Sequence, residues 1–186
     1  MADLKESPSQ TAGPYVHIGC VPKFAGLVGM YDGQDLGEKM ILGPVSATPI
    51  KLTCVIYDGE GQPLKDAMVE LWQAGPEGAF GQTENFSNWG RGATDSETGW
   101  TQFETLKPGV VGDQAPHILV WITARGINLG LTTRIYFEDD ASLHASDPIF
   151  SLAGDRAGTL VARKSDVGYH HDIFLQGEQE TVFFDV

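Results

Sequence analysis

The sequence predicts an all-β protein, a two-sheet β-sandwich preceded by an extended N-terminal arm. Short segments rich in β-branched and aromatic residues recur between turns marked by Gly and Pro, which is typical of sandwich domains. Helix-length segments do not alternate with these strands, and this argues against a parallel α/β sheet. Only one stretch, residues 141–163, favours a helix or two.

The arm is predicted over residues 1–49, and the sandwich domain over residues 50–186. The first stretch is rich in Gly, Pro and Ser, and turn signals such as Asp32-Gly33 interrupt its short apolar pieces. A mobile terminus is the alternative. An arm that packs is favoured because four side chains give it apolar surface to bury: Tyr15, Val16, Ile18 and Phe24.

The strands of the sandwich domain follow in order. The first, residues 50–57, alternates with β-branched residues and ends at the turn signal of residues 58–63. The second, residues 67–73, places Val69 and Leu71 on one face and Glu70 and Trp72 on the other. Residues 75–99 are rich in Gly and Asn and predict a long loop. Further strands are predicted over residues 100–105, 117–124, 132–137, 170–175 and 181–184.

The charge balance excludes some partners and restricts others. With a formal net charge of -13 at pH 7, the surface repels nucleic acid phosphates. An anionic ligand would need a local cation, because the field of the whole protein opposes it. The start MADLKESPSQ shows no signal-peptide pattern and no stretch has the length and apolarity of a membrane span, so a cytoplasmic protein is expected. Cys20 and Cys54 are expected to be reduced thiols.

Three motifs carry a family resemblance. They are VIYDGEGQPLKDAMVELWQAGPEGAF, GRGATDSETGWTQFETLKPG and APHILVWITARGINLGLTTRIYF, in that order along the chain. Together they resemble the core of the intradiol ring-cleaving dioxygenases, over about half of the chain. The resemblance implies the β-sandwich of that family, in agreement with the strand pattern.

The resemblance also implies which residues occupy the family's iron-ligand positions. The family binds Fe(III), a hard cation, through two tyrosines and a His-x-His pair whose rings point to one strand face. In this chain the four positions carry Phe80, Val111, His117 and Leu119. Only His117 can donate to a metal, so no metal site and no catalytic residue is expected in this chain. Gln114 stands where the iron-bearing chains carry an arginine.

Such losses resemble the iron-free α subunit of two-chain family members, and so do the fragments TAGPYVHIG and ARGINLGLTTRIYF. The resemblance implies a homologous β subunit that holds Fe(3+), a higher-order assembly of α–β units, and an arm that packs on the partner chain. The implied reaction joins protocatechuate and O2 into 3-carboxy-cis,cis-muconate, within the aromatic catabolism of the β-ketoadipate pathway. The implied substrate-binding residues are Thr11, Gly13, Pro14, Tyr15 and Arg134.

Arg134 is the cation expected to meet the substrate carboxylate, whereas Arg125 is interpreted as structural. Two other functions stay open. One is an autonomous intradiol catechol dioxygenase, which predicts an iron-loaded protein when this chain is purified alone. The other is a non-catalytic, transthyretin-like binding module, which predicts a stable protein with no effect on ring cleavage.

Overall fold

A computed structural model describes residues 10–185, so residues 1–9 of the predicted arm and residue 186 lie outside the described residues. The strands are β1 (Pro49–Tyr57), β2 (Met68–Gln73), β3 (Trp89–Ala93), β4 (Trp100–Leu106), β5 (His117–Thr123), β6 (Leu131–Phe137), β7 (Val161–Ser165) and β8 (Gly168–Phe174). Short helices are α1 (Pro14–Cys20), α2 (Ala141–His144) and α3 (Pro148–Leu152). Within residues 10–185, none of the helices has the length and apolarity needed to cross a membrane.

All eight strands are hydrogen-bonded in the order β3-β2-β5-β6-β7-β8-β1-β4. The β1–β8 and β6–β7 pairs are parallel and the others are antiparallel. The short β7 contacts β6 through only two residue pairs, and it joins one half, β3-β2-β5-β6, to the other, β8-β1-β4. The all-β prediction is therefore confirmed, and the two sheets of the sandwich are continuous through β7.

The main core lies between these two halves. Alternate residues of β5 (Ile118, Val120 and Ile122) are buried, and so are Leu52, Cys54 and Ile56 of β1 and Val69 and Leu71 of β2. Each such side chain stabilises the fold by about 1.5–3 kcal/mol through removal of apolar surface from water. This alternation is the period-2 pattern on which the strand predictions depended, and those predictions are confirmed for β1, β2, β4, β5, β6 and β8.

Two strands were missed. β3 lies inside the stretch predicted as a loop. Its glycines explain why the strand was not predicted, and they also explain how the strand packs against the core. A Cβ on Gly90 would come within 2.7 Å of Met40 Sδ, so the glycine lets this strand approach the core closely. β7 follows the short helices and the 3-10 segment Gly154–Leu160, in a region predicted as helical. The strand predicted over residues 181–184 is reduced to one bridge between Phe184 and Thr132.

Part of the predicted extended arm is helical. Pro14 occupies the first turn of α1, where its missing N–H costs nothing and its fixed φ favours the helix. Later in the arm, Met40 is buried in the main core and Ile41 bridges to Phe86. β1 begins at Pro49. The division into an arm of residues 1–49 and a domain of residues 50–186 stays a prediction.

Candidate functional site

The four iron-ligand positions of the resembled family lie at one end of the β2–β5 strand pair. Phe80 lies in the loop between β2 and β3, and Val111 lies in the loop after β4. The two loops pack together, because Gly109 N donates to Gly75 O at 2.9 Å. A Cβ on Gly78 would clash with the Val110 carbonyl, which shows how close these loops are. The second loop then leads into β5, which carries His117 and Leu119.

The side chains at these positions do not fit a ferric ion. Phe80, which is 56% exposed, Val111 and Leu119 offer only carbon atoms. His117 is buried and its Nδ1 lies 2.8 Å from Ala115 O, as in a histidine satisfied within a strand end. Burial lowers the pKa of His117, and the charge of Arg134 lowers it further. No three His, Cys, Asp or Glu side chains of residues 10–185 form a metal-binding group.

Arg134 lies directly beside this surface. Its neighbours in β6, Thr133 and Ile135, are buried toward the main core, so Arg134 projects from the opposite face, as the strand phase predicted. Its Cα partner on β5 is Leu119. Arg134 Nη1 donates to Gln114 Oε1 at 2.8 Å and to Tyr136 Oη at 3.3 Å.

Both acceptors of Arg134 are neutral, and this sets the residue apart from three of the four other arginines; the fourth, Arg163, also has no carboxylate partner among the described residues, but it is exposed. Arg134 forms no salt bridge with any carboxylate of residues 10–185, although the chain carries a net charge of -13. Three other arginines each pair with a carboxylate: Arg91 with Glu70, Arg125 with Asp66, and Arg156 with Glu180. The half-buried guanidinium of Arg134 thus lies beside the resembled ligand positions without a carboxylate in salt-bridge contact among residues 10–185.

A small second hydrophobic core contains Tyr136, to which Arg134 donates a hydrogen bond. Tyr136 is fully buried, and its ring contacts the rings of His117, His144 and Phe150 at centroid distances of 5.7, 5.6 and 4.9 Å. Burial raises the pKa of Tyr136 to about 12, so its hydroxyl stays protonated at neutral pH. The phenol is therefore a fixed and neutral hydrogen-bonding group beneath the guanidinium.

Asp147 anchors this second core. Its carboxylate is fully buried and accepts hydrogen bonds from three backbone amides, those of Ala115 at 2.9 Å, Ile149 at 2.8 Å and Phe150 at 3.0 Å. Two of these amides begin α3, where Asp147 is the N-cap residue before Pro148. The third ties the start of β5 to the same carboxylate. Asp147 thereby connects α3 to the loop that carries Gln114.

The predicted arm residues lie elsewhere. Gly126 N donates to Thr11 Oγ1 at 2.7 Å, and this bond holds the arm at the turn after β5. Gly13 and Pro14 line a cavity of about 450 Å³ whose wall also includes His17, Asp66 and Arg125. Tyr15 is 85% exposed. The Nε2 atom of His17 is buried and lacks a hydrogen-bond partner within the described part of the chain.

Within this chain the arm residues and Arg134 form two separate groups. Arg134 lies opposite Leu119 in the β5–β6 pair. Thr11 accepts its hydrogen bond from Gly126, which follows the end of β5 at Thr123. Leu119 is four strand steps from Thr123, the last residue of β5, or roughly 13 Å at about 3.3 Å per residue, and the Thr11 contact lies beyond Thr123. Arg134 is not among the residues that line the arm cavity, so a pocket bordered by both groups would have to be completed by a second protein surface.

Sequence reasoning missed three contributors to this region. Tyr136 lies two residues from Arg134 in one strand, and this spacing alone places both on one face. Asp147 precedes Pro148, which is a recognisable helix start. Asp66 gave no signal, because its pairing with Arg125 joins the ends of two strands that are distant in sequence.

Comparisons with known proteins show what this chain is similar to. A family model described as Dioxygenase matches residues 12–177. The protocatechuate 3,4-dioxygenase alpha chain of Pseudomonas putida is 40% identical over 197 residues, covering 98% of this chain and 97% of that protein. The protocatechuate 3,4-dioxygenase beta chain of Burkholderia cepacia is 30% identical over 175 residues, covering 81% of this chain and 69% of that protein.

Among solved structures, the catechol 1,2-dioxygenase of Pseudomonas arvilla C-1 superimposes with a TM-score of 0.58 at 24% identity. The match covers 76% of this chain and 56% of that enzyme. At this identity the likeness shows a shared fold and nothing finer. The same β-sandwich architecture is therefore found in a catechol 1,2-dioxygenase.

Proposed function

This chain belongs to the dioxygenase family, and we propose that it is the α subunit of a protocatechuate 3,4-dioxygenase whose homologous β subunit holds the iron. Its similarity to an α chain extends over nearly the full length of both proteins. Its weaker similarity to a β chain supports a partnership between two related sandwiches. Phe80, Val111 and Leu119 support the assignment of iron to the partner, because none can donate to a metal.

The single observation that carries the proposal is that Arg134 has no carboxylate in salt-bridge contact among residues 10–185. Protocatechuate is a catechol with a carboxylate, and the net charge of -13 opposes its approach. A guanidinium without a carboxylate partner attracts such a ligand locally and binds it through charge-assisted hydrogen bonds. The half-buried position of Arg134 strengthens these bonds, because water screens them less there.

The arm is proposed to complete the pocket together with the partner. Thr11, Gly13, Pro14 and Tyr15 are the residues assigned to substrate contact, and Tyr15 offers a rigid apolar ring that is almost fully exposed. Because these residues and Arg134 line no common cavity within the described part of this chain, the proposal requires the β subunit to complete the pocket that both groups border. It also requires residues 1–49 to pack on that subunit.

The proposed reaction is cleavage of the ring between its two hydroxyl-bearing carbons, with both atoms of O2 retained in 3-carboxy-cis,cis-muconate. The ferric ion of the partner would bind the catechol oxygens and activate the ring toward O2. This chain would contribute the cation that orients the carboxylate and the walls that exclude water. No bond is made or broken on its own side chains.

The proposed contact surface for the partner surrounds the former ligand positions. Trp72 is 49% exposed, and it lies opposite Leu119 across the β2–β5 pair. Phe80 and Val110 are exposed on the adjoining loops. Exposed aromatic and aliphatic side chains in one area are typical of permanent subunit interfaces. A cytoplasmic location is also part of the proposal and is tested by cell fractionation.

Co-purification tests the partnership. A tagged copy of this chain, expressed from its natural gene neighbourhood, is expected to bring down a longer homologue that carries both tyrosines and an intact His-x-His pair. The purified pair is expected to consume O2 with protocatechuate, while this chain alone does not. An active, iron-loaded single chain would favour the autonomous dioxygenase instead. A stable single chain that co-purifies with no such homologue would favour the transthyretin-like binding module.

A further inference from the structure

We propose that Gln114 is a positioning residue that sets the direction of the Arg134 guanidinium and thereby the preference for a carboxylated catechol. The inference deepens the proposed function and rests on it. Gln114 touches no reacting atom in this account and acts through Arg134. The observation behind it is the 2.8 Å hydrogen bond from Arg134 Nη1 to Gln114 Oε1.

The contacts of Arg134 engage one nitrogen and leave the others available. Nη1 donates to both Gln114 and Tyr136. The Nε and Nη2 atoms have no hydrogen-bond acceptor among residues 10–185. A guanidinium carries five N–H donors in a rigid plane, so fixing Nη1 fixes the direction of the whole group. A carboxylate can then take the remaining donors in a two-point contact.

The amide of Gln114 has the chemistry that this task requires. Its oxygen accepts a hydrogen bond without a charge, so it orients Arg134 and leaves the positive charge for the ligand. A glutamate here would form an ion pair with Arg134 and compete with the substrate carboxylate. An arginine, as in the iron-bearing chains of the resembled family, would offer no acceptor and would repel Arg134.

The backbone around Gln114 is held in place. The backbone N–H of Gln114 donates to the backbone carbonyl of Val111 at 2.9 Å, and the backbone N–H of Val111 donates to the backbone carbonyl of Gln114 at 3.1 Å. The next residue, Ala115, is buried and donates to the carboxylate of Asp147. Tyr136, the second acceptor, is locked among buried aromatic rings. Both acceptors of Arg134 are thus preorganised by packing, as a specific binding site requires.

Two substitutions in the assembled α–β enzyme test the inference. Gln114→Met keeps the size of the side chain and removes the acceptor, whereas Gln114→Glu keeps the acceptor and adds a charge. The measurement is kcat/KM for protocatechuate and for catechol, which lacks the carboxylate. Gln114→Glu is expected to lower the protocatechuate value about 10- to 100-fold, mainly through KM, with the catechol value almost unchanged. Gln114→Met is expected to lower the ratio of kcat/KM for protocatechuate to kcat/KM for catechol about threefold to tenfold.

Gln102→Glu is the matched control, because Gln102 is an exposed residue of β4 and the change adds the same charge. It should leave the ratio unaltered. Arg134→Ala, assayed in parallel, separates the two proposals. If Arg134→Ala lowers the ratio and neither Gln114 variant does, the positioning role is wrong and the proposed function stands. If Arg134→Ala leaves the ratio unchanged, the carboxylate-binding role of Arg134 and the positioning role of Gln114 are both wrong. Thermal melting checks that each variant is folded. If Gln114→Glu does not fold, the result for Gln114→Met alone tests the positioning role.

Discussion

Leu119 and Arg134 lie directly opposite each other on β5 and β6. The position that would carry the second imidazole of a His-x-His pair thus borders a guanidinium with no carboxylate partner among the described residues. A cation at this place disfavours a ferric ion and favours an anion. The side chains without metal-donor atoms and the guanidinium without a carboxylate in salt-bridge contact are therefore consistent parts of one surface, which suits carboxylate recognition better than metal binding.

Arg134→Ala is expected to weaken protocatechuate more than catechol in the reconstituted enzyme. Loss of a charge-assisted contact costs about 2 kcal/mol, or roughly a 30-fold fall in kcat/KM for the carboxylated substrate. Arg163→Ala is the matched control, because Arg163 is an exposed arginine on β7 and its loss changes the net charge equally. Steady-state kinetics with both substrates measures the effect. Equal losses for the two substrates would remove the carboxylate-binding role.

Asp147→Ala is expected to destabilise the fold by about 2–4 kcal/mol. The substitution leaves the buried amide of Ala115 and two first-turn amides of α3 without their acceptor. Asp147→Asn retains a side-chain oxygen and should cost clearly less. Urea unfolding of the two variants and the native chain checks this order. If Asp147→Asn proves as damaging as Asp147→Ala, the negative charge rather than the hydrogen bonds stabilises this region.

His171 predicts a loss of stability in weak acid. Burial lowers the pKa of His171 to about 4 from an ordinary 6.5, and its Nε2 lacks a partner within residues 10–185. Between these two values the unfolded chain binds more protons than the folded one, so the free energy of unfolding falls as pH falls from 6.5 toward 4. The full loss is about 3 kcal/mol.

His171→Leu should remove this part of the pH dependence, whereas the native protein and His170→Gln should keep it. Urea unfolding at pH 7 and at pH 4.5 measures both. A native-like pH dependence in His171→Leu would show that other groups cause the loss in acid.

Trp72→Glu is expected to weaken the association with the proposed β subunit at least tenfold, because a buried interface tryptophan typically contributes 2 kcal/mol or more. Trp100→Glu is the matched control, since the two rings are 49% and 50% exposed but lie on different halves of the sandwich. Analytical ultracentrifugation of mixed subunits gives both dissociation constants. A stronger effect of Trp100→Glu would move the proposed interface to the other half.

The sequence predicted most of the fold because the buried faces alternate. In β1, β2 and β5 the period of two is set by side chains such as Leu52, Val69 and Ile118, so the strands can be read directly. β3 was not predicted, because Gly90 and Gly92 take the place of apolar side chains where this strand approaches Met40 and Phe103. No local pattern distinguishes such a glycine-rich strand from a loop.

The candidate site was predicted less completely, for a physical reason. The phase of Arg134 in β6 follows from the sequence, but its partners do not, since Gln114 lies 20 residues away in a loop. Hydrogen bonds across such distances depend on the register of β5 against β6, which only the fold fixes. The helical turn at Pro14 could have been found, because proline is common at the first position of a helix.

The most direct test of the account is the iron content of the separated subunits. The purified α–β enzyme is dissociated, the two chains are resolved, and ferric iron in each is measured by metal analysis. Iron is expected to accompany the partner chain and to be absent from this one. Stoichiometric iron held by this chain through its own side chains near residues 110–120 would contradict the α-subunit account.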